Sequence, residues 1–113
     1  MVAKIEKILK ALADKSRLRI INMLAEKPLC VCEMTEVLKL SQSTVSGHLR
    51  VLKDAALLED EKNGLWVEYR LCRDYRFHSL LLDLILEELQ SDRKMAEERK
   101  KAAQADRSVI CKK

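Results

Sequence analysis

The chain has 113 residues and a formal net charge of +4; it is 48% hydrophobic, 35% charged and 4% aromatic, with two glycines and one proline. That is one domain with material for one core, and too little Gly and Pro for a collagen-like, low-complexity or all-β protein. No run of 18 apolar residues is present and charge recurs through Met1–Lys15, so neither a membrane span nor a signal peptide is expected; in the cytoplasmic, reducing setting this implies, the four cysteines are thiols or metal ligands before they are disulfides.

Ile5, Ile8, Leu9 and Leu12 recur at helical spacing and predict a first helix over 2–14. Ser16 is read as the cap of a second, which carries Leu18, Ile21 and Leu24 and ends before Pro28. A third is expected from Cys30 to Lys39, with Met34, Val37 and Leu38 turned inward. Ser41 then caps a fourth, in which Val45, Leu49 and Leu52 fall at i, i+4 and i+7. The few residues between the third and fourth helices suit a helix-turn-helix corner. Asn63-Gly64 between two strand-like runs predicts a hairpin.

A last helix runs from Tyr75 past Leu89. From Leu80 to Leu86 it is apolar at six of seven positions, so more than one face must be buried. A chain this small has little surface to wrap such a helix, and a homodimer is expected. From Asp92 on there are eight basic and four acidic residues, expected to extend the helix or stay disordered. The organisation read from the chain is a mainly α winged helix-turn-helix domain (α-α-α-α-β-β-α) over 1–91 that dimerises through terminal helices. A charged C-terminal tail over 92–113 completes it.

Residues 1–91 are neutral, yet Lys39 to Lys53 holds Lys39, Arg50 and Lys53 and no acid, a basic face suited to a polyanion. With Val45, Leu49 and Leu52 inward, the fourth helix turns Ser43, Gly47 and Arg50 outward with Ser46 beside them. Small, hydroxylated and cationic side chains suit entry into a major groove. Gly47 costs about 1 kcal/mol of helix propensity, which close approach to another surface would offset. His48, on the flank of the core side, reads as a packed, hydrogen-bonded residue. Lys62 at the hairpin tip can meet phosphate, while Glu59, Asp60 and Glu61 would be repelled by it. No nucleophile–base pair or Gly-rich phosphate loop is present, so no enzyme is expected.

The run Leu40-Ser41-Gln42-Ser43-Thr44-Val45-Ser46-Gly47-His48-Leu49, continuing through Leu52 to Ala55-Ala56-Leu57-Leu58, resembles the recognition region of the arsenical-resistance repressors, the ArsR/SmtB family. So does Lys62-Asn63-Gly64 followed by Tyr69-Arg70-Leu71, and the resemblance covers about residues 3 to 90. Ala56 stands where that family often has Gly, and Lys62 where it often has Arg. The resemblance implies a dimeric repressor that leaves double-stranded operator DNA on binding a metal or metalloid. It also implies Gln42, Ser43, Thr44, Ser46 and Arg50 as groove and phosphate contacts. Such a dimer sets its two reading helices in successive major grooves, and its binding weakens steeply with salt.

Leu29-Cys30-Val31-Cys32-Glu33-Met34 resembles the arsenite site of the family's arsenic-responsive branch. Independently, thiolates select soft ions, and a helix N-terminus lowers a thiol's pKa. Two positions apart on a regular helix point about 200° away from each other, so sharing As(III) or Sb(III) is expected to require that the first turn open. The third cysteine of the best-known arsenic repressors is replaced by Thr35, so a three-thiolate site would need Cys72 or Cys111, of this or the other subunit; otherwise Cys30 and Cys32 suffice for the switch. The family's other site, zinc on the last helix, meets only His78 and Asp74 here. The alternatives are a DNA-binding dimer switched by thiol oxidation or by Cd(II), Pb(II) or Cu(I), and a winged helix that holds a protein.

Overall fold

Apolar stripes at helical spacing place the first four helices close to where the sequence puts them. The computed structural model describes residues 2–110, except for the side chain of Val109. The elements are α1 (Val2–Leu12), α2 (Lys15–Leu24), β1 (Leu29–Cys30), α3 (Val31–Leu38), α4 (Gln42–Asp54), β2 (Leu58–Asn63), β3 (Trp66–Leu71), α5 (Arg76–Gln90), α6 (Arg93–Gln104) and α7 (Arg107–Ile110). This is a winged helix-turn-helix arrangement with one more strand and two more helices than expected. None of the described helices is long and apolar enough to cross a membrane.

The core is shared by α1 to α5. Ile8, Ile20, Ile21, Met34, Val45, Leu49, Leu52, Leu57 and Leu82 are all buried in one cluster. The cap of α2 is Asp14, whose carboxylate accepts the Arg17 N–H at 3.0 Å, and Ser16 lies inside the helix. Asp14 is already extended (φ −156°), the backbone shape a capping residue needs. Lys39, in the left-handed region, ends α3, and Ser41 caps α4 as read, accepting the Thr44 N–H at 3.2 Å.

The far end of α4 closes in a Schellman motif. Ala56 N–H donates to Lys53 C=O at 2.9 Å and Leu57 N–H to Leu52 C=O at 3.0 Å, with Leu52 and Leu57 fully buried. Ala56 therefore sits at φ +61°, where a Cβ costs about 1–2 kcal/mol. Replacing Ala56 with Gly removes that strain and loosens the unfolded chain by about 0.4–1 kcal/mol. The net expectation for Ala56→Gly is a stabilisation of about 0.5–1 kcal/mol, seen as a higher urea midpoint at unchanged m-value; an unchanged or lower midpoint would refute it.

The sheet has the order β1-β3-β2, all antiparallel. Asn63 pairs with Trp66, so the two-residue turn is Gly64-Leu65, one position later than Asn63-Gly64 suggests. Gly64 alone carries the positive φ (+63°) there, as a type II′ turn requires at its first central residue. Leu29 pairs with Tyr69 and Cys30 with Glu68, which joins the wing to the start of α3.

From Asp92 to Ile110 the chain neither extends α5 nor stays loose. The chain turns at Ser91, Asp92 caps α6, and α6 packs back on α2 and α3. Its charges are used for packing. Arg19 holds Glu98 with two nitrogens, at 3.1 and 2.7 Å; Asn22, fully buried, donates to Met95 C=O at 3.0 Å and accepts from Arg99 at 2.6 Å.

Candidate metalloid and nucleic-acid site

The face of α4 turned away from the core is open. Gln42, Ser43, Thr44 and Arg50 are exposed, Ser46 and Gly47 are half-buried, and Val45 and Leu49 are turned into the core. A Cβ added at Gly47 would meet nothing within 4 Å, so nothing inside the chain requires glycine there. His48 faces α2, with Nδ1 3.4 Å from Arg17 Nη1, and Arg17 also donates to Ala11 C=O at 2.7 Å. Lys62 is exposed at the wing tip. The acids around it are matched by cations: Arg70 pairs with Glu59 at 2.9 Å and Glu61 at 3.1 Å, and Lys53 with Asp60 at 2.9 Å. Much of the expected repulsion toward a phosphate backbone is thereby neutralised.

The cysteine pair differs from its helical expectation. Cys30 is not the first residue of the helix but its N-cap, with extended φ −92° and ψ 167°, and Cys32 is the second helical residue. A capping side chain folds over the first turn. Cys30 Sγ therefore comes to 3.1 Å from Cys32 Sγ; the two sulfurs stand together without any opening of the turn. Glu33, 2% exposed, closes a capping box by accepting the Cys30 N–H at 2.9 Å. Thr35 turns its hydroxyl onto Cys32 C=O at 2.8 Å.

Cys72 stands apart from this pair. Cys30 lies opposite Glu68 on β3, and Cys72 comes four residues after Glu68, about 13 Å along a strand. Its N–H donates to Leu57 C=O at 2.9 Å, and its sulfur neighbours Glu59 and Asp74. Within one chain Cys72 is not the third ligand. Cys111 lies outside the described residues. His78 is buried, its Nε2 3.1 Å from Ala55 C=O.

The helix N-terminus does not win the electrostatic contest at Cys30. Burial pushes its thiol above the ordinary value; the Glu33 carboxylate adds to this, and Arg107 opposes it. Below that raised pKa the thiolate fraction grows about tenfold per pH unit. Alkylation of Cys30 by iodoacetamide, followed by peptide mass spectrometry, is expected to accelerate about tenfold from about pH 7 to 8 without levelling off. A plateau below about pH 7 would mean an activated thiol instead.

Sequence reasoning missed Glu33, Glu68 and Arg107. Arg107 on α7 reaches Glu33 at 3.0 Å and Glu68 at 2.9 Å. The available signal was Cys30-x-x-Glu33, a capping-box spacing with sulfur in place of the hydroxyl.

A model of the bacterial regulatory proteins of the arsR family matches residues 14–60. The arsenical resistance operon repressor of Bacillus subtilis is 42% identical over 72 residues, 63% of this chain and 69% of that protein. The chain belongs to the ArsR family. The arsenic resistance transcriptional regulator ArsR1 of Pseudomonas putida is 48% identical over 65 residues, 57% of this chain. The match spans about half of that protein's length (51%). Among ArsR-type folds, the solution structure of Mb0332 from Mycobacterium bovis, described as a homodimeric winged helix-turn-helix DNA-binding domain, superposes with a TM-score of 0.69. That likeness is one of fold, at 24% identity over 81% of this chain and 83% of that one.

Proposed function

We propose that this chain is a homodimeric transcriptional repressor that holds operator DNA with α4 and the wing and releases it when Cys30 and Cys32 capture As(III) or Sb(III). The observation that carries this reading is the 3.1 Å approach of two sulfurs at the joint between wing and reading head. Two converging soft donors fit a thiophilic ion. The names of the B. subtilis and P. putida relatives point the same way.

Coupling follows from where Cys30 sits. It is a residue of β1, paired to the wing strand β3, and also the cap of α3, which packs against α4. Ligation that shifts Cys30 disturbs both DNA-facing parts at once. An inducer acts only through its different affinity for the two shapes, and about 1–3 kcal/mol of coupling gives a 5–150-fold loss of operator affinity.

Dimerisation is supported by apolar side chains left bare on α1 and α5. Ile5, Leu9, Tyr75, Phe77, Leu80 and Leu84 are each 41–63% exposed. Ile5, Tyr75 and Phe77 line one common cleft. Apolar area in such a concentration marks an interface.

The test is a fluorescence-anisotropy titration of labelled operator with the protein, followed by arsenite. Salt-sensitive binding that arsenite reverses is expected. Arg50→Ala is expected to cost about 1–3 kcal/mol of binding. Release by peroxide but not by arsenite would favour a redox switch, and absence of DNA binding at low salt would reject the repressor reading.

A further inference from the structure

We propose a second metal site, separate from Cys30 and Cys32, in which Cys72, Glu59 and Asp74 hold a borderline divalent cation of the Zn(II) class at the base of the wing. It goes beyond the function proposed above and stands whether or not Cys30 and Cys32 take arsenic. One donor atom from each of the three residues lies within 4.8 Å of the other two, the one such group of three among the described residues. The strand register explains why they meet. Glu59 pairs with Arg70 across the ladder, and Cys72 N–H donates to Leu57 C=O at 2.9 Å. Leu57 and Glu59 are two apart, so Glu59 and Cys72 stand diagonally on one face of the wing. Asp74 follows two residues later, in the bend before α5.

Three features favour a cation there. A buried cysteine is ordinarily a small hydrophobe of the core. Cys72 is a free thiol, 5% exposed, that lies outside the apolar core cluster and turns its sulfur to two carboxylates. Asp74 enters no ion pair among the described residues, and the adjacent Arg73 turns instead to Asp83 at 2.7 Å and to Ser79. Arg70 takes only Oε1 of Glu59, at 2.9 Å, and divides itself between Glu59 and Glu61. Glu59, Glu61 and Asp74 thus set three carboxylates against the one guanidinium of Arg70, a local excess of negative charge that draws a cation.

Zinc takes cysteine sulfur at about 2.3 Å and carboxylate oxygen at about 2.1 Å, which sets donors around a tetrahedral ion about 3.5 Å apart. The group must therefore draw in by about 1 Å. Asp74 is exposed and Glu59 half-buried, so their side chains can close on a Cys72 anchored through its backbone. Water fills the fourth position, and the Cys72 proton leaves to solvent as the metal binds, with no change of oxidation state. The ion fastens β2, the end of β3 and the approach to α5 to one another, beside Leu57 at the foot of α4.

Two measurements on the full-length protein test this. The first titrates Co(II), then Zn(II) as competitor, into protein carrying Cys30→Ser, Cys32→Ser and Cys111→Ser, so that Cys72 is its one cysteine. One Co(II) per chain and a sulfur-to-cobalt charge-transfer band that Zn(II) removes are expected. Adding Asp74→Asn or Glu59→Gln, which keep shape and remove charge, is expected to weaken Co(II) by at least about the 10–100-fold that loss of an outer-shell partner costs. Absence of the band, or an affinity that neither carboxylate variant alters, overturns the site. The second uses the wild-type chain, reduced, and reads N-ethylmaleimide modification on the Cys72 peptide by mass spectrometry. Zn(II) at a hundred times its Kd is expected to slow that reaction about 100-fold, and Asp74→Asn to lose most of the protection. A rate at Cys72 that Zn(II) leaves unchanged overturns the proposal.

Discussion

In Cys32→Ser, arsenite is expected to leave the protein–operator complex intact, while operator affinity in its absence stays within about twofold of wild type. Cys32 is half-buried at the second position of α3, where serine is well tolerated, and its backbone carbonyl keeps the Thr35 hydroxyl at 2.8 Å. The substitution removes a soft donor, since a hydroxyl is a hard oxygen ligand that a thiophilic ion does not select. All of the coupling is at stake: the 5–150-fold weakening expected of arsenite in wild type should shrink to none. Anisotropy at fixed protein and rising arsenite reads this directly. Full release from the variant would place the inducer somewhere other than the start of α3.

Gly47→Leu is expected to make the protein more stable and its DNA binding much weaker. A glycine inside a helix costs about 1 kcal/mol against a good helix former, and at this position a Cβ has open space around it. Unfolding by urea should therefore show a gain of about 0.5–1 kcal/mol. On the operator side, a leucine would stand the helix off from the groove that Gln42, Ser43, Ser46 and Arg50 must reach. Losing even one good base contact is worth about 1–3 kcal/mol, a fall of roughly 5–150-fold in affinity. Opposite signs from one substitution separate a groove-reading face from an ordinary solvated one. A variant that is stabilised and binds DNA as wild type does would show that α4 approaches the duplex differently.

The parts of this fold legible in the sequence are those with a period or a strong local signal. α4 could be placed from Ser41 and the Val45, Leu49, Leu52 spacing, and both observations hold. The wing was visible in Asn63-Gly64, although its turn is centred one residue later because only Gly64 takes the left-handed shape. β1 was not visible, since two residues carry no alternation to read. That omission had a consequence at the site. With Cys30 taken as helical the sulfurs diverge; as an extended cap at the end of β1, Cys30 brings its sulfur onto Cys32. The packing of α6 was hidden for another reason. Its buried surface is small, Ala102 with Asn22 beneath it, and its binding to α2 runs through Arg19–Glu98 and Arg99–Asn22. Pairings between residues so far apart in the chain leave no mark on local composition.

The way α6 lies across α2 has a bearing on how the protein can be trimmed or fused. Cutting the chain after Gln90 would take Glu98 from Arg19 and the Met95 carbonyl from Asn22, uncovering one face of α2, the helix that underlies both α3 and α4. The basic segment that forms α6 cannot be discarded as a dispensable extension, because it is part of the floor on which α2 and α3 stand.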